Sequence, residues 1–170
     1  RVLISKFAKA TKIGDIDQDH IDKVNAAADA YEGLSKEGKE ELAKMNDGYH
    51  VDKLSGAKVD VAHRLISKVG LKSLGRNTVE KELADKIEAA LAAVAKLSPA
   101  EYEVLAARNN GYHVDKLATA EVDLVHRYIS LFSVSEERSE EYDAKVNKAK
   151  AAYDKLSPEQ KDKLAAKNKG

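Results

Sequence analysis

The 170-residue chain predicts an all-α fold of tandem three-helix-bundle repeats, elongated, with helices shared between neighbouring units. Three observations predict it. The segment GYHVDKLSGAKVDVAHRLIS from Gly48 to Ser67 returns as GYHVDKLATAEVDLVHRYIS from Gly111 to Ser130, an offset of 63 residues, and self-similarity at a fixed period marks a repeat architecture. Apolar residues recur at spacings of three and four along three segments of each unit, the period of a helix that buries one face. Ser-Pro starts and Asn-x-Gly stops punctuate those segments.

The division that follows assigns residues 1–13 to the end of a preceding unit's last helix, because Leu3-Ile4-Ser5-Lys6 aligns with Leu65-Ile66-Ser67-Lys68. Residues 14–75 form a first unit, 76–134 a second, and 135–170 the first two helices of a third. With no initiating Met and a last repeat that stops at Gly170, both ends read as cuts through a longer array. The first helix of each unit carries Ile16, His20, Val24, Ala27, Tyr31 and Leu34, copied as Val79, Leu83, Ile87, Ala90, Val94 and Leu97, and then as Tyr142, Val146, Ala149, Tyr153 and Leu156.

The second helix opens at Ser98-Pro99-Ala100-Glu101 and Ser157-Pro158-Glu159-Gln160. There Ser caps, Pro takes the first helical position, and Glu or Gln closes a capping box. Ser35 caps the first copy more weakly, since Gly38 stands at the box position. These short helices stop at Asn46-Asp47-Gly48, Asn109-Asn110-Gly111 and Asn168-Lys169-Gly170, where Gly accepts the left-handed conformation. A connecting segment with Val51 and Leu54 is expected next, then a third helix carrying Val59, Ala62, Ile66 and Val69, copied as Val122, Val125, Ile129 and Phe132. That helix is expected to serve as the last of one bundle and the strut to the next, since a unit of about 60 residues is marginal alone. The linkers Gly70 to Asn77 and Ser133 to Ser139 differ in length, which reads as a stiffer second junction.

Composition narrows the function. Lys+Arg 29 against Asp+Glu 29 leaves no basic footprint for nucleic acid or anionic lipid. Without Cys there is no disulfide and no thiolate chemistry. No apolar run approaches the roughly 20 residues of a membrane-spanning helix, so membrane insertion is not expected. Glycines form no phosphate-cradling motif and no acid pair recurs in a catalytic context, so the chain reads as no enzyme, and no cofactor is called for.

The segments AYEGLSKEGKEEL and AAYDKLSPEQKDKLAAKN, followed by Leu117-Ala118-Thr119-Ala120-Glu121 and Leu54-Ser55-Gly56-Ala57-Lys58, resemble the small helical repeats of large bacterial surface and secreted proteins. The resemblance covers nearly the whole chain. It implies an extracellular or cell-surface location, typically Gram-positive, with the modules acting as spacers or accessory interaction domains beside other domains of a larger parent. GYHVDKL and the His-Arg pairs lie outside that pattern, so a specialised function is expected there.

The leading functional expectation is a non-catalytic spacer. Its alternative is a module binding a host or cell-wall protein or glycan through duplicated faces, with Tyr49, His50 and Asp52, and Tyr112, His113 and Asp115, as candidate contacts. Ranked below is metal or haem capture by His50 and His63, copied as His113 and His126, with the carboxylates Asp52 and Asp60, copied as Asp115 and Asp123, nearby. Imidazole is the commonest transition-metal ligand, but repeated residues are more often copied structure than chemistry. Asp15, Asp17 and Asp19 alternate like a calcium loop, yet His20 and Ala26 stand where that loop needs Gly and Glu, so they read as helix N-terminal acids. Arg64 and Arg127 are placed to pair with Asp60 and Asp123 one turn earlier, and Tyr31 and Tyr153 read as core.

Overall fold

The computed structural model describes residues 1–70, 81–133 and 136–167. Among them there is no strand. The helices are α1 Val2–Ser5, α2 Gln18–Glu32, α3 Lys36–Lys44, α4 Tyr49–Lys68, α5 Lys81–Ala95, α6 Pro99–Ala107, α7 Tyr112–Ser130, α8 Glu140–Asp154 and α9 Pro158–Lys167. Of the first linker only Gly70 lies among the described residues; Val79, Val134, Ser135 and the last three residues also fall outside them.

Local chemistry sets the helix starts. Asp17 accepts the His20 amide at 2.8 Å and caps α2, which gives the acidic run its structural role. Ser98 and Glu101 close a full capping box on α6, and Ser157 with Gln160 does the same for α9, at 3.2 and 2.9 Å. Ser35 accepts the Gly38 amide at 3.1 Å.

The chain turns from α3 into α4 through three successive left-handed residues, Asn46 (φ 50°), Asp47 (φ 51°) and Gly48 (φ 84°). Asn109, Asn110 and Gly111 repeat the turn at 51°, 52° and 83°. Short polar side chains and glycine are the residues that occupy this region at least cost.

No connecting segment follows. Val51 and Leu54 lie within α4, which runs unbroken from Tyr49 through Gly56 to Lys68. An interior glycine costs a helix about 1 kcal/mol, whereas Leu54 and Ala57 on either side are 2% and 7% exposed. Burying a leucine side chain alone is worth about 1.5–3 kcal/mol, so packing overrides propensity.

Among the described residues three apolar cores result. The first gathers Ile4, Phe7, Ile16, Ile21, Val24 and Leu42 with Leu54, Ala57 and Val61 of α4. The second gathers Val59, Ala62 and Ile66 of α4 with Ile87, Leu105 and Leu117, Ala120, Leu124 and Tyr128 of α7. The third joins Val122 and Val125 of α7 to Leu156 and Leu164. Each long helix thus belongs to two cores. It divides its faces alike in both copies, since Leu54, Ala57 and Val61 correspond to Leu117, Ala120 and Leu124, and Val59 and Ala62 to Val122 and Val125. Leu34 and Tyr153, read as stripe residues, are 40% and 39% exposed, and Tyr31 is half-buried under Lys39.

Candidate functional site: the joint between α4 and α7

The candidate histidines do not meet within a repeat. His50 and His63 stand on one continuous helix, as do His113 and His126, and thirteen residues of helix separate them by about 20 Å along the axis. The structure instead brings His63 to His113 across the repeats, with their Nε2 atoms 2.8 Å apart and ring centroids 4.0 Å apart. Among the described residues no three His, Cys, Asp or Glu side chains gather as a metal site.

Position follows from the fold. His63 lies on the part of α4 that faces the second core, and His113 opens α7 immediately after the left-handed turn. Arg108, one residue before that turn, reaches back with Nη2 to Asp60 Oδ1 at 2.7 Å and with Nη1 to His63 Nδ1 at 3.2 Å. Asn109 Nδ2 stands 2.8 Å from His113 Nε2. A guanidinium only donates, so His63 Nδ1 accepts from it and the His63 proton sits on Nε2, where it is donated to His113 Nε2. Both rings are then neutral. His113 carries its proton on Nδ1, a buried atom without a partner among the described residues.

Electrostatics agree. Burial first, then the neighbouring His113 and Arg108, hold the His63 imidazole below its ordinary range against the pull of Asp60. Burial, Lys116 and Arg108 do the same for His113. A site ringed by Arg108 and Lys116 is poorly suited to a cation.

Around this centre lies a set of polar contacts that sequence reading did not find. Lys58 Nζ donates to Glu101 Oε2 at 2.7 Å, with the two side chains 13% and 10% exposed. Burial alone pushes the Glu101 carboxyl up, but the Lys58 hydrogen bond, the Ser98 amide and the Lys58 charge together hold it below the usual range. Lys116 Nζ donates to the Ile66 carbonyl at 3.3 Å. Arg64 does not pair with Asp60; its Nε donates to the Ile16 carbonyl at 3.1 Å, because Arg108 already occupies the carboxylate.

These contacts recur one repeat along. Lys167 stands where Arg108 stood and holds Asp123, the copy of Asp60, at 2.7 Å. Gln160, in the place of Glu101, donates to Glu121, in the place of Lys58, at 2.7 Å. On the other side, Lys53 donates to the Ile4 carbonyl at 2.9 Å as Lys116 does to that of Ile66.

The chain matches no known protein-family model, and no curated protein or solved structure is significantly similar to it.

The remaining candidates are placed as follows. Tyr49 and Tyr112 are 57% and 54% exposed and stand edge-on to His50 and His113. Asp52 and Asp115 lie exposed in the first turns of α4 and α7. His50 is buried, with Nε2 3.2 Å from Asn46 Nδ2. His126 is half-buried, and among the described residues its ring has no hydrogen-bond partner.

The joints differ in one respect. Between α2, α4 and α5 the cleft is almost closed, at about 10 Å³, where Lys96 bridges to Asp29 at 2.9 Å. Its counterpart between α5, α7 and α8 holds about 560 Å³. There Ala92 replaces Asp29, and among the described residues no ion pair draws Lys155 inward.

Proposed function

We propose that the chain is a non-catalytic helical spacer, a row of three-helix-bundle units that positions neighbouring domains of a larger bacterial surface or secreted protein. The observation that carries this reading is the recurrence of one joint. Arg108–Asp60 and Lys167–Asp123, Glu101–Lys58 and Gln160–Glu121, and Lys116–Ile66 and Lys53–Ile4 are the same contacts one repeat apart. A contact set that repeats in register fixes one relative orientation between successive units, and a fixed orientation is what transmits length.

The surface-protein resemblance of AAYDKLSPEQKDKLAAKN supports the extracellular setting, and among the described residues no helix is long and apolar enough to cross a membrane. Small-angle scattering of the whole chain tests the proposal: a rigid, elongated envelope is expected, and a compact one would overturn it.

A binding module is the second reading, favoured by the paired exposure of Tyr49 and Tyr112. Duplicate sites raise avidity without new contacts. On a glycan and peptide array, a Tyr49→Ala, Tyr112→Ala double variant is then expected to lose far more binding than either single variant; equal binding by all of them removes this reading.

A further inference from the structure

We infer that the face formed by α7, α8 and α9 is a docking site for one kind of partner, a helix opening with the His-x-x-x-Leu pattern of α4 and α7, presented by another unit of this type. The inference rests on the reading of successive units joined alike. What covers such a face is visible inside the chain. At the joint of α4 with α7, the opening turns of α7 bring His113 and Leu117, 7% and 4% exposed, against the second core and the His63 ring.

One repeat along, the receiving parts are in place. Leu164 packs against Val122 as Leu105 packs in the core of Val59. Lys167 grips Asp123 as Arg108 grips Asp60. The incoming helix has no counterpart among the described residues, and two observations mark its place. His126, the copy of His63, has no hydrogen-bond partner for its ring among those residues. Val146 and Tyr153 of α8 are half-buried and 39% exposed, whereas Ile87, the counterpart of Val146, is 1% exposed beneath α7.

The same comparison selects the occupant. A half-buried imidazole beside the Asp123–Lys167 pair is satisfied by a second imidazole, as His63 is by His113. The leucine one turn later continues the apolar strip, as Leu117 does. A folded second copy cannot supply this pair, because its own His50 and Leu54, and His113 and Leu117, are already buried.

The test uses the full chain with the Gly111–Ser130 sequence offered as a free peptide and, separately, with Tyr112–Ser130 repeated after Gly170. Calorimetry is expected to show saturable one-to-one binding of the free peptide, with a shift of the His126 ring proton resonance. His126→Ala is expected to weaken binding at least tenfold, and so is alanine in place of the peptide's histidine, the two losses not adding. Because a free 20-residue helix is marginal in water, the fused form decides. Its denaturation midpoint is expected to rise, and His126→Ala to abolish most of the rise. A fused chain with an unchanged midpoint and an unmoved His126 resonance would overturn the inference, as would self-association of the parent chain through this face. Scattering of the parent chain separates this result from the spacer reading. An elongated parent whose fused form gains nothing defeats the docking face alone, and a compact parent defeats the spacer.

Discussion

His63 and His113 meet through their Nε2 atoms at 2.8 Å although 50 residues separate them and each lies on a different long helix. The contact is made by the sole tautomer pair that Arg108 permits, with both rings neutral and the shared proton on His63. Protonating either ring puts a donor against a donor and a cation among Arg108, Lys116 and the other imidazole.

Stability is therefore expected to fall in acid. Both imidazoles are held below their ordinary range in the folded chain, so below about 6.5 the unfolded chain binds more protons than the folded one. The contribution is fully present above that value and is lost as pH drops through the folded pKa values. Denaturation midpoints measured from pH 7.5 to 5 check this. The decline is expected to flatten in a His63→Gln, His113→Gln double variant and to persist in His126→Gln. A double variant as acid-sensitive as the parent would show that the pair does not sense pH.

Glycine substitutions separate conformational need from mere composition. Gly48 and Gly111 sit at φ 84° and 83°, where a Cβ is strained whatever the space, so Gly→Ala at either is expected to destabilise by about 1–2 kcal/mol. Gly56 lies inside α4 with nothing within 4 Å of a built Cβ. There Gly→Ala is expected to stabilise by about 0.5–1 kcal/mol. Thermal melts of the single variants read both signs, and a destabilising Gly56→Ala would show that its conformation is not ordinary helix.

How much of this was legible in the sequence divides along a physical line. Caps and turns were, because Ser98 with Glu101 or Asn109-Asn110-Gly111 act through neighbours a few residues away. The helical state of Val51 and Leu54 was not, since Gly56 argues locally against it and the burial that overrides it comes from other helices. The histidines were visible as a repeated pair, but pairing them within one repeat assumed a bent connection. Once α4 is straight, the partner of His63 has to come from the next unit. The 63-residue offset held the clue, because a copied joint needs complementary residues on both sides, and Arg108 with Asp60 supply one such pair.

The Lys58–Glu101 pair offers a test that uses the chain's own second version. Lys58→Glu alone sets two carboxylates together in a site where both side chains are nearly buried, and a loss of about 3 kcal/mol is expected. Adding Glu101→Gln recreates the Glu121–Gln160 contact of the next joint and keeps a capping residue like Gln160, so most of the loss is expected to return. Chemical denaturation of the two single variants and the double variant measures the coupling, and strictly additive losses would mean that the two joints are not equivalent.

The three cores are unequal, which predicts where the chain opens first. Among the described residues thirteen buried side chains make up the second core, whereas the third has four, Val122, Val125, Leu156 and Leu164. Beside the third core lies the cleft of about 560 Å³, and the small Ala149, the one buried residue of α8, is all that this helix buries in the second core. Fewer buried contacts give a lower local opening free energy, so amides of α8 and α9 are expected to exchange hydrogen well before those of α4 and α7. Leu164→Ala removes about 2–5 kcal/mol from so small a core. It is expected to free α8 and α9 while α2 to α7 keep their protection, because α7 still has Leu117, Leu124 and Tyr128 held by the second core. Exchange that rises uniformly along the chain in this variant would mean that the three cores unfold as one, and that the long helices transmit stability from joint to joint.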